Sequence, residues 1–232
     1  MPIALYLAMT AAEMASYPQL PNHVAWMACH FSSSGQGLSN FPQTLPQRSI
    51  LIVDDHLPFQ DHSAETILRQ LSDVAERFDL SGILLDFQRP SVPQVQSLTS
   101  MLVSQLPCPV VAPPCYAPNN APVFLSPCPA NCRMENHLAP YLDRPIWLEA
   151  AADGLEVTVT NLGTTQRLPF AQRYEELPYK DDALHCHYRI HLQDNAVRFS
   201  LQRTREDLQA LLEEAEYLGV TRAIGLWQEL KK

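Results

Sequence analysis

Short, almost continuously apolar segments recur along the chain, separated by stretches with helical or turn character. Such segments are typical of strands that are covered on both faces. Eight are predicted to be strands, at residues 3–9, 23–31, 49–55, 82–88, 109–114, 122–127, 145–151 and 222–227. Eight strands alternating with helices predict an α/β fold, a compact (β/α)8 TIM-type barrel. An open doubly wound sheet is the structural alternative.

Three helices are predicted from apolar stripes at helical spacing. They cover residues 63–78, 91–106 and 205–218. The second opens with a capping-box pattern at Ser91 and Gln94. The third follows Thr204, has Asp207 three residues later and stops at Gly219, so both of its ends are marked.

Residues 152–203 interrupt this alternation. The segment alternates apolar and polar positions and carries turn residues at 161–163 and 194–195, which predicts two β-hairpins. We expect a small antiparallel insertion before the last helix, within a single domain of residues 1–232.

Composition narrows the classes of partner. The 232 residues are 46% hydrophobic and 18% charged, which predicts a sizeable core. A formal net charge of −9 argues against nucleic acid as a partner. No apolar run approaches the ~20 residues of a membrane span, so no membrane partner is expected. The sequence does not indicate the oligomeric state.

The first strand could also be read as a signal peptide. Residues 3–9 are apolar and small residues follow, but no Lys or Arg precedes them, which favours a barrel strand. The chain is too large to need disulfides, so its six cysteines are expected to be reduced, in a cytoplasmic protein.

Two groups of residues have types that bind zinc. They are Cys128 with Cys132, and His185, Cys186, His187 and His191. Neither group has the paired spacing of a zinc site, so no metal and no cofactor are expected. No glycine-rich nucleotide-binding pattern is present either.

The stretch "SGILLDFQRP", residues 81–90, holds the candidate chemistry. Because side chains alternate along a strand, Leu84, Asp86 and Gln88 share one face, and the opposite face is wholly apolar. The first face becomes polar only towards its C-terminal end, where barrel enzymes place their active sites.

This stretch resembles the fourth-strand signature D-G-x-D-x-D-x-E of the family 18 glycoside hydrolases, the chitinase-like barrels. The aligned residues are Ser81, Gly82, Leu84, Asp86 and Gln88. Two further stretches are similar to the branch of that family that cuts bacterial spore cortex. They are "MACHFSSSGQGLS" and the C-terminal part ending in "GLWQEL".

The resemblance implies a substrate-assisted glycosidase whose catalytic glutamic acid has been lost. Gln88 stands at that position, Leu84 and Ser81 replace two of the aspartates, and the strand-six tyrosine has no counterpart. Asp86 matches the carboxylate that supports the acetamido group, and Trp227 matches a stacking tryptophan. The implied function is binding of N-acetylglucosamine-containing glycan or peptidoglycan by Asp86, Gln88 and Trp227, with a spore location as an option.

Two alternatives stay open. The chain could be an active glycoside hydrolase that uses other carboxylates near strand ends, with Asp55 or Glu149 paired with Asp86. It could also be a structural or interaction protein without a ligand. His30 and His56, also near strand ends, are expected to be polar residues of the rim.

Overall fold

The computed structural model describes residues 3–17, 19–60, 63–152, 154–160, 164–168, 176–193 and 196–230. Its main element is a sheet of eight parallel strands, numbered along the chain. The strands are β1 (Ala4–Met9), β2 (Val24–Phe31), β4 (Ile50–Asp54), β5 (Gly82–Asp86), β6 (Val110–Val111), β7 (Val123–Leu125), β8 (Ile146–Glu149) and β14 (Arg222–Leu226). They follow the order β6-β5-β4-β2-β1-β14-β8-β7 in the sheet. A short strand β3 (Leu38–Ser39) pairs antiparallel with β2.

The two ends of this sheet meet and close the ring. Ala112 forms a parallel bridge with Val123, and the Phe124 N–H donates to the Ala112 carbonyl at 2.9 Å. The predicted (β/α)8 barrel is therefore confirmed, and all eight predicted strands take part in it. The open-sheet alternative is wrong.

Among the described residues, the helices are fewer and shorter than in a full barrel of this type. They are α1 (Ala11–Ala15), α2 (Ala64–Phe78), α3 (Pro93–Gln105), α4 (Met134–Leu138), α5 (Arg205–Tyr217) and α6 (Trp227–Leu230), with a 3-10 turn at Ala139–Tyr141. The three long helices are those predicted from the apolar stripes. None of the described helices has the length and apolar character that crossing a membrane requires.

The helix ends agree with the sequence in one case and not in another. At α5 the Thr204–Asp207 capping box is present, and Gly219 beyond the helix has a φ of +96°. At α3 the predicted capping box is wrong. The helix begins at Pro93 with Val92 as its N-cap, while the Ser91 hydroxyl donates to the Cys115 carbonyl.

Apolar side chains fill the barrel and cover its outside. The residues inside the ring are Ala4, Tyr6, Ala8, Ala25, Met27, Ile50, Ile52, Leu84, Val111, Phe124, Trp147 and Ile224. Trp147 lies close to Gly82, where an added Cβ would stand 2.5 Å from the indole. The Arg222 guanidinium covers the same indole at 4.6 Å from the ring centroid, so a large aromatic fills the lower half of the lumen.

An antiparallel sheet occupies the predicted insertion. Its strands are β9 (Gly154–Val159), β10 (Thr164–Leu168), β11 (Tyr179–Asp181), β12 (Cys186–Gln193) and β13 (Ala196–Gln202). They follow the order β10-β9-β13-β12-β11 in the sheet. The insertion is thus confirmed. The turns predicted at 161–163 and 194–195 lie outside the described residues, and the division into one domain stays a prediction.

A buried arginine joins this sheet to the barrel. Arg203, only 1% exposed, donates to the carbonyls of Pro129 at 3.2 Å, Leu184 at 3.1 Å and His185 at 3.3 Å, and also to that of Cys128. Cys128 and Pro129 follow β7, whereas Leu184 and His185 precede β12. One guanidinium therefore holds together two loops that are distant in sequence.

The predicted imidazole-rich stretch makes the second attachment. His187 Nδ1 lies 2.7 Å from a carboxylate oxygen of Asp207, and His185 Nε2 lies 2.8 Å from one of Glu214. Both carboxylates belong to α5. These two histidines therefore attach the antiparallel sheet to α5.

The six cysteines of the chain are free thiols.

We expect Arg203→Met to lower the free energy of unfolding by about 2–4 kcal/mol, because several buried carbonyls lose their donor and each such loss costs ~1–3 kcal/mol. Urea unfolding followed by circular dichroism measures the change. Arg205→Met is the matched control, since Arg205 is exposed two residues away and should change stability by less than about 0.5 kcal/mol. Equal effects of the two substitutions would contradict the role given to Arg203.

A second prediction concerns Asp207 and pH. Burial raises the pKa of this carboxyl, but the Thr204 N–H and hydroxyl and the His187 ring outweigh it and hold the pKa below its usual value. A depressed folded-state pKa adds stability above the unfolded value of about 3.9, and this stability is lost as the pH falls through the folded-state pKa. Asp207→Asn should therefore cost about 1–2 kcal/mol at neutral pH and progressively less below about pH 4.

Urea unfolding at several pH values tests the Asp207 prediction. Glu206→Gln is the control, because Glu206 is the exposed neighbouring carboxylate on the same helix turn. A difference between the Asn variant and the unmodified chain that stays constant with pH would contradict the assignment.

Candidate functional site

Three polar residues stand in one row at the C-terminal ends of neighbouring barrel strands. The strand register pairs His30 of β2 with Asp54 of β4, and Asp54 with Asp86 of β5. Ile52 and Leu84, two residues earlier in their strands, lie inside the ring. Because side chains alternate with a period of two, Asp54 and Asp86 also point to the inside, at the mouth of the barrel.

A bulge in β2 brings His30 into this row. Met27 pairs with Ile52 but Cys29 pairs with Val53, so Ala28 is an extra residue. If the pairing were regular, Ala28 would lie opposite Val53, Cys29 would take the inward position and His30 would turn towards the outer layer. Bulges are known to redirect side chains beside functional sites, and this one has that effect.

Asp86 and Gln88 form a hydrogen-bonded pair at the mouth. The Gln88 Nε2 donates to Asp86 Oδ1 at 2.5 Å. The pKa of Asp86 is raised by burial and by the nearby Asp54 and Asp55 carboxylates, while the bond from Gln88 acts in the opposite direction. The mouth therefore holds a carboxyl that accepts a proton more readily than an exposed aspartate does.

A cavity of about 110 Å³ lies under this pair. Asp86, Gln88 and Glu149 supply its ionisable and amide groups, and its apolar wall is formed by Ala8, Met27, Ile52, Leu84, Phe124, Ile224, Gly225 and Leu226. Gly225 is required there, since an added Cβ would lie 2.5 Å from the Ala150 carbonyl oxygen. The structure thus brings three of the five candidates from the sequence, Asp86, Gln88 and Glu149, around one cavity.

Asp55 has a different place. It is 4% exposed, and its carboxylate accepts the N–H groups of Gln88 at 2.8 Å and Arg89 at 3.0 Å. The Arg89 side chain donates back to the Asp55 carbonyl at 2.6 Å, and the Tyr116 hydroxyl donates to the Arg89 carbonyl at 2.5 Å. Asp55 therefore holds the loop after β5 in position.

Asp55 and Arg89 also line a larger cavity of about 440 Å³, together with Phe31, Pro58, Phe59, Pro90, Val92, Gln94, Val95 and Tyr116. Its size exceeds that of the mouth cavity. Its two charged side chains, however, are engaged with the backbone. The smaller cavity carries the candidate chemistry, because its carboxylates stand at strand ends inside the ring.

Trp227 is not among the residues that line the mouth cavity. It begins α6 and is partly buried against the outer core, with its ring edge-on to Tyr17 at 4.8 Å between centroids. The indole Nε1 is buried and has no hydrogen-bond partner among the described residues. The structure therefore does not bring Trp227 together with Asp86 and Gln88.

Asp55 is the residue expected from the sequence beside Asp86, but Asp54 is the one that faces the lumen. Strand alternation indicates this, since Ile50, Ile52 and Asp54 share the inner face while Leu51 and Val53 face outward. For His30 no such signal exists, because the bulge at Ala28 cannot be read from "VAWMACHF".

The chain is similar in fold to several solved structures but not similar in sequence to known families. No protein-family sequence profile and no curated protein matches the chain. Among solved structures, the spore cortex-lytic enzyme SleL of Bacillus cereus matches with a TM-score of 0.52 at 9% identity, over 97% of this chain and 70% of that enzyme.

Several chitinases match as well. A family 18 chitinase of Cycas revoluta, solved in complex with (GlcNAc)3, has a TM-score of 0.57 at 9% identity over 96% of this chain and 94% of its own. Chitinase ChiW of a Paenibacillus species has a TM-score of 0.59 at 11% identity over 97% and 41%. At these identities the likeness shows the fold alone. The chain has the barrel fold of the family 18 chitinases.

The surroundings of Asp86 lead to two opposite expectations for its pKa. Asp54→Asn should lower it, because one of the carboxylates that raise it is removed. Gln88→Ala should raise it, because the hydrogen bond that stabilises the ionised form is lost. A carbon-13 NMR titration of the Asp86 carboxyl measures both, and shifts of the same sign in the two variants would contradict this geometry.

Proposed function

We propose that this chain is a chitinase-like barrel that binds N-acetylated glycan at its mouth and does not hydrolyse it. The observation that carries the proposal is the Asp86–Gln88 pair. An amide stands where the resemblance to family 18 places the catalytic acid, and it donates to the neighbouring carboxylate. An amide N–H can donate a hydrogen bond but is too weak an acid to transfer its proton to a leaving oxygen, so the general-acid step has no donor at this position.

The residue below the pair supports the same conclusion. Leu84 occupies the inward position two residues before Asp86 and is 2% exposed within the lumen cluster. In the family signature this position is an aspartate. An apolar side chain there leaves Asp86 without a second carboxylate beneath it and makes the inner mouth suited to binding through apolar contact.

The size of the cavity restricts what enters it. Sites for drug-sized ligands measure about 300–1,000 Å³, and this cavity measures about 110 Å³. An acetamido arm fits such a volume, with the sugar ring lying above it. Asp86 would accept the acetamido N–H, Gln88 would bond to a hydroxyl, and Met27, Ile52 and Leu84 would receive the methyl group.

Trp227 lies outside the mouth cavity, at the end of β14. It can stack on a sugar only if the glycan extends beyond the cavity to that point. Trp227→Phe separates this role from packing, because a smaller ring still packs against Tyr17 but offers less surface to a sugar. Weaker binding by this variant, with unchanged circular dichroism, would support the role.

A second candidate is an active hydrolase that uses Asp86 and Glu149. Two features favour it: both carboxylates line one cavity, and the pKa of Asp86 is raised, as a general acid requires. Loss of turnover in both Asp86→Asn and Glu149→Gln would establish it.

Calorimetry with a chitin oligosaccharide and with soluble peptidoglycan fragments tests the binding proposal. We expect Asp86→Ala to weaken binding about tenfold or more, equivalent to at least ~1.4 kcal/mol. Asp143→Ala is the matched control. Asp143 is exposed before β8, at the opposite end of the barrel, and its loss should leave affinity unchanged.

Hydrolysis is measured on the same compounds, and no turnover is expected from the unmodified chain or from Gln88→Glu, since Leu84 still lies below the restored acid. If the unmodified chain binds neither the chitin oligosaccharide nor the peptidoglycan fragments, the glycan-binding proposal is wrong and the alternative of a structural or interaction protein is favoured. Peptidoglycan as the ligand would place the protein at a spore or cell wall; the cytoplasmic location stays a prediction.

A further inference from the structure

A second group of side chains lies on the rim beside the mouth. It consists of His30, Asp54 and His56, and one nitrogen or oxygen atom of each lies within 4.8 Å of those of the other two. The two imidazole rings meet edge to face at 4.1 Å between centroids. His56 Nδ1 lies 2.5 Å from Asp54 Oδ1. Two imidazoles and one carboxylate thus converge at the ends of two adjacent strands.

The tautomer of His30 follows from its hydrogen bond. Its Nδ1 lies 3.1 Å from the carbonyl oxygen of Ala28, the extra residue of the bulge. A carbonyl can only accept, so Nδ1 carries the proton and Nε2 of the neutral ring carries the lone pair. Histidines that bind metals are held in this way, with one nitrogen donating to a backbone carbonyl and the other left for the ion.

The other two members are accessible to an ion from solvent. The side chains of His56 and Asp54 are 53% and 36% exposed. Asp54 is partly buried in the row with Asp86, whereas His56 stands on the loop that follows β4. A rotation of the exposed His56 ring can therefore bring its ligand atom to coordination distance without disturbing the strands.

We infer that His30, Asp54 and His56 bind a divalent transition-metal ion such as Zn²⁺. Imidazole and carboxylate are the ligands that zinc and its neighbours in the first transition row prefer. Three protein ligands would leave at least one coordination position of a tetrahedral ion for water or a ligand oxygen. The inference does not depend on glycan binding, since its ligands are not among the residues that line the mouth cavity.

Calorimetric titration of the chelator-treated protein with ZnCl2 tests the site. One ion per chain is expected, together with a rise in the melting temperature. His56→Ala and Asp54→Asn should each weaken zinc binding about tenfold or more, and so should His30→Ala. His56 is exposed, so its variant keeps the test valid if His30→Ala should fail to fold.

Two controls separate this site from other donors. His23→Ala makes the same substitution at the opposite end of β2 and should leave zinc affinity unchanged. Cys115→Ser removes an exposed thiol and should also leave it unchanged. With Co²⁺ as the probe, the visible spectrum should lack the thiolate-to-metal charge-transfer band.

Three outcomes would overturn the inference. They are the absence of saturable zinc binding, binding that survives both His30→Ala and His56→Ala, and a thiolate band that disappears with Cys115→Ser. The last result would assign the ion to cysteine. The metal site and the proposed function are tested separately. If zinc binding is lost in the His30, Asp54 and His56 variants while the unmodified chain binds no glycan, the metal site is supported and the proposed function is rejected.

Discussion

Backbone hydrogen bonds between parallel strands determine which side chains meet at the barrel mouth. The register runs without a slip from β4 to β5, so Asp54 and Asp86 face the same way, and a single extra residue in β2 adds His30. Shifting any of these strands by one residue would exchange its lumen side chains for those of the outer layer. The mouth is polar because the ladder places these three positions side by side.

Neighbouring carboxylates have different tasks because of this alternation. Asp54 faces the lumen, whereas Asp55 turns outward and accepts two backbone N–H groups. Both carboxylates raise the pKa of Asp86, but Asp55 also fixes the loop that carries Gln88 and Arg89. The loop after β5 keeps its position at the barrel mouth because the buried Asp55 carboxylate accepts the N–H groups of Gln88 and Arg89.

The apolar runs were sufficient to predict the barrel, since each buried strand must be apolar on both faces. The Thr204–Asp207 cap was predictable because both partners are local. Contacts between residues that are distant in sequence could not be predicted. The Ser91 hydroxyl donates to the Cys115 carbonyl and does not cap its own helix. Arg203 donates to the carbonyls of Pro129 and Leu184. The grouping of His30 with Asp54 was hidden for the same reason, since it arises from a bulge and from the pairing of two strands.

The position of β1 has a consequence for how the protein comes to be made. It lies between β2 and β14, and residues 222–226 are the last of the barrel to leave the ribosome. Until they emerge, β1 has one open edge with unpaired backbone groups, and such edges recruit other chains. Since long-range parallel pairing is slow, the nascent ring passes through an aggregation-prone stage with seven of its eight parallel strands, and chaperone demand should be greatest just before residues 222–226 emerge.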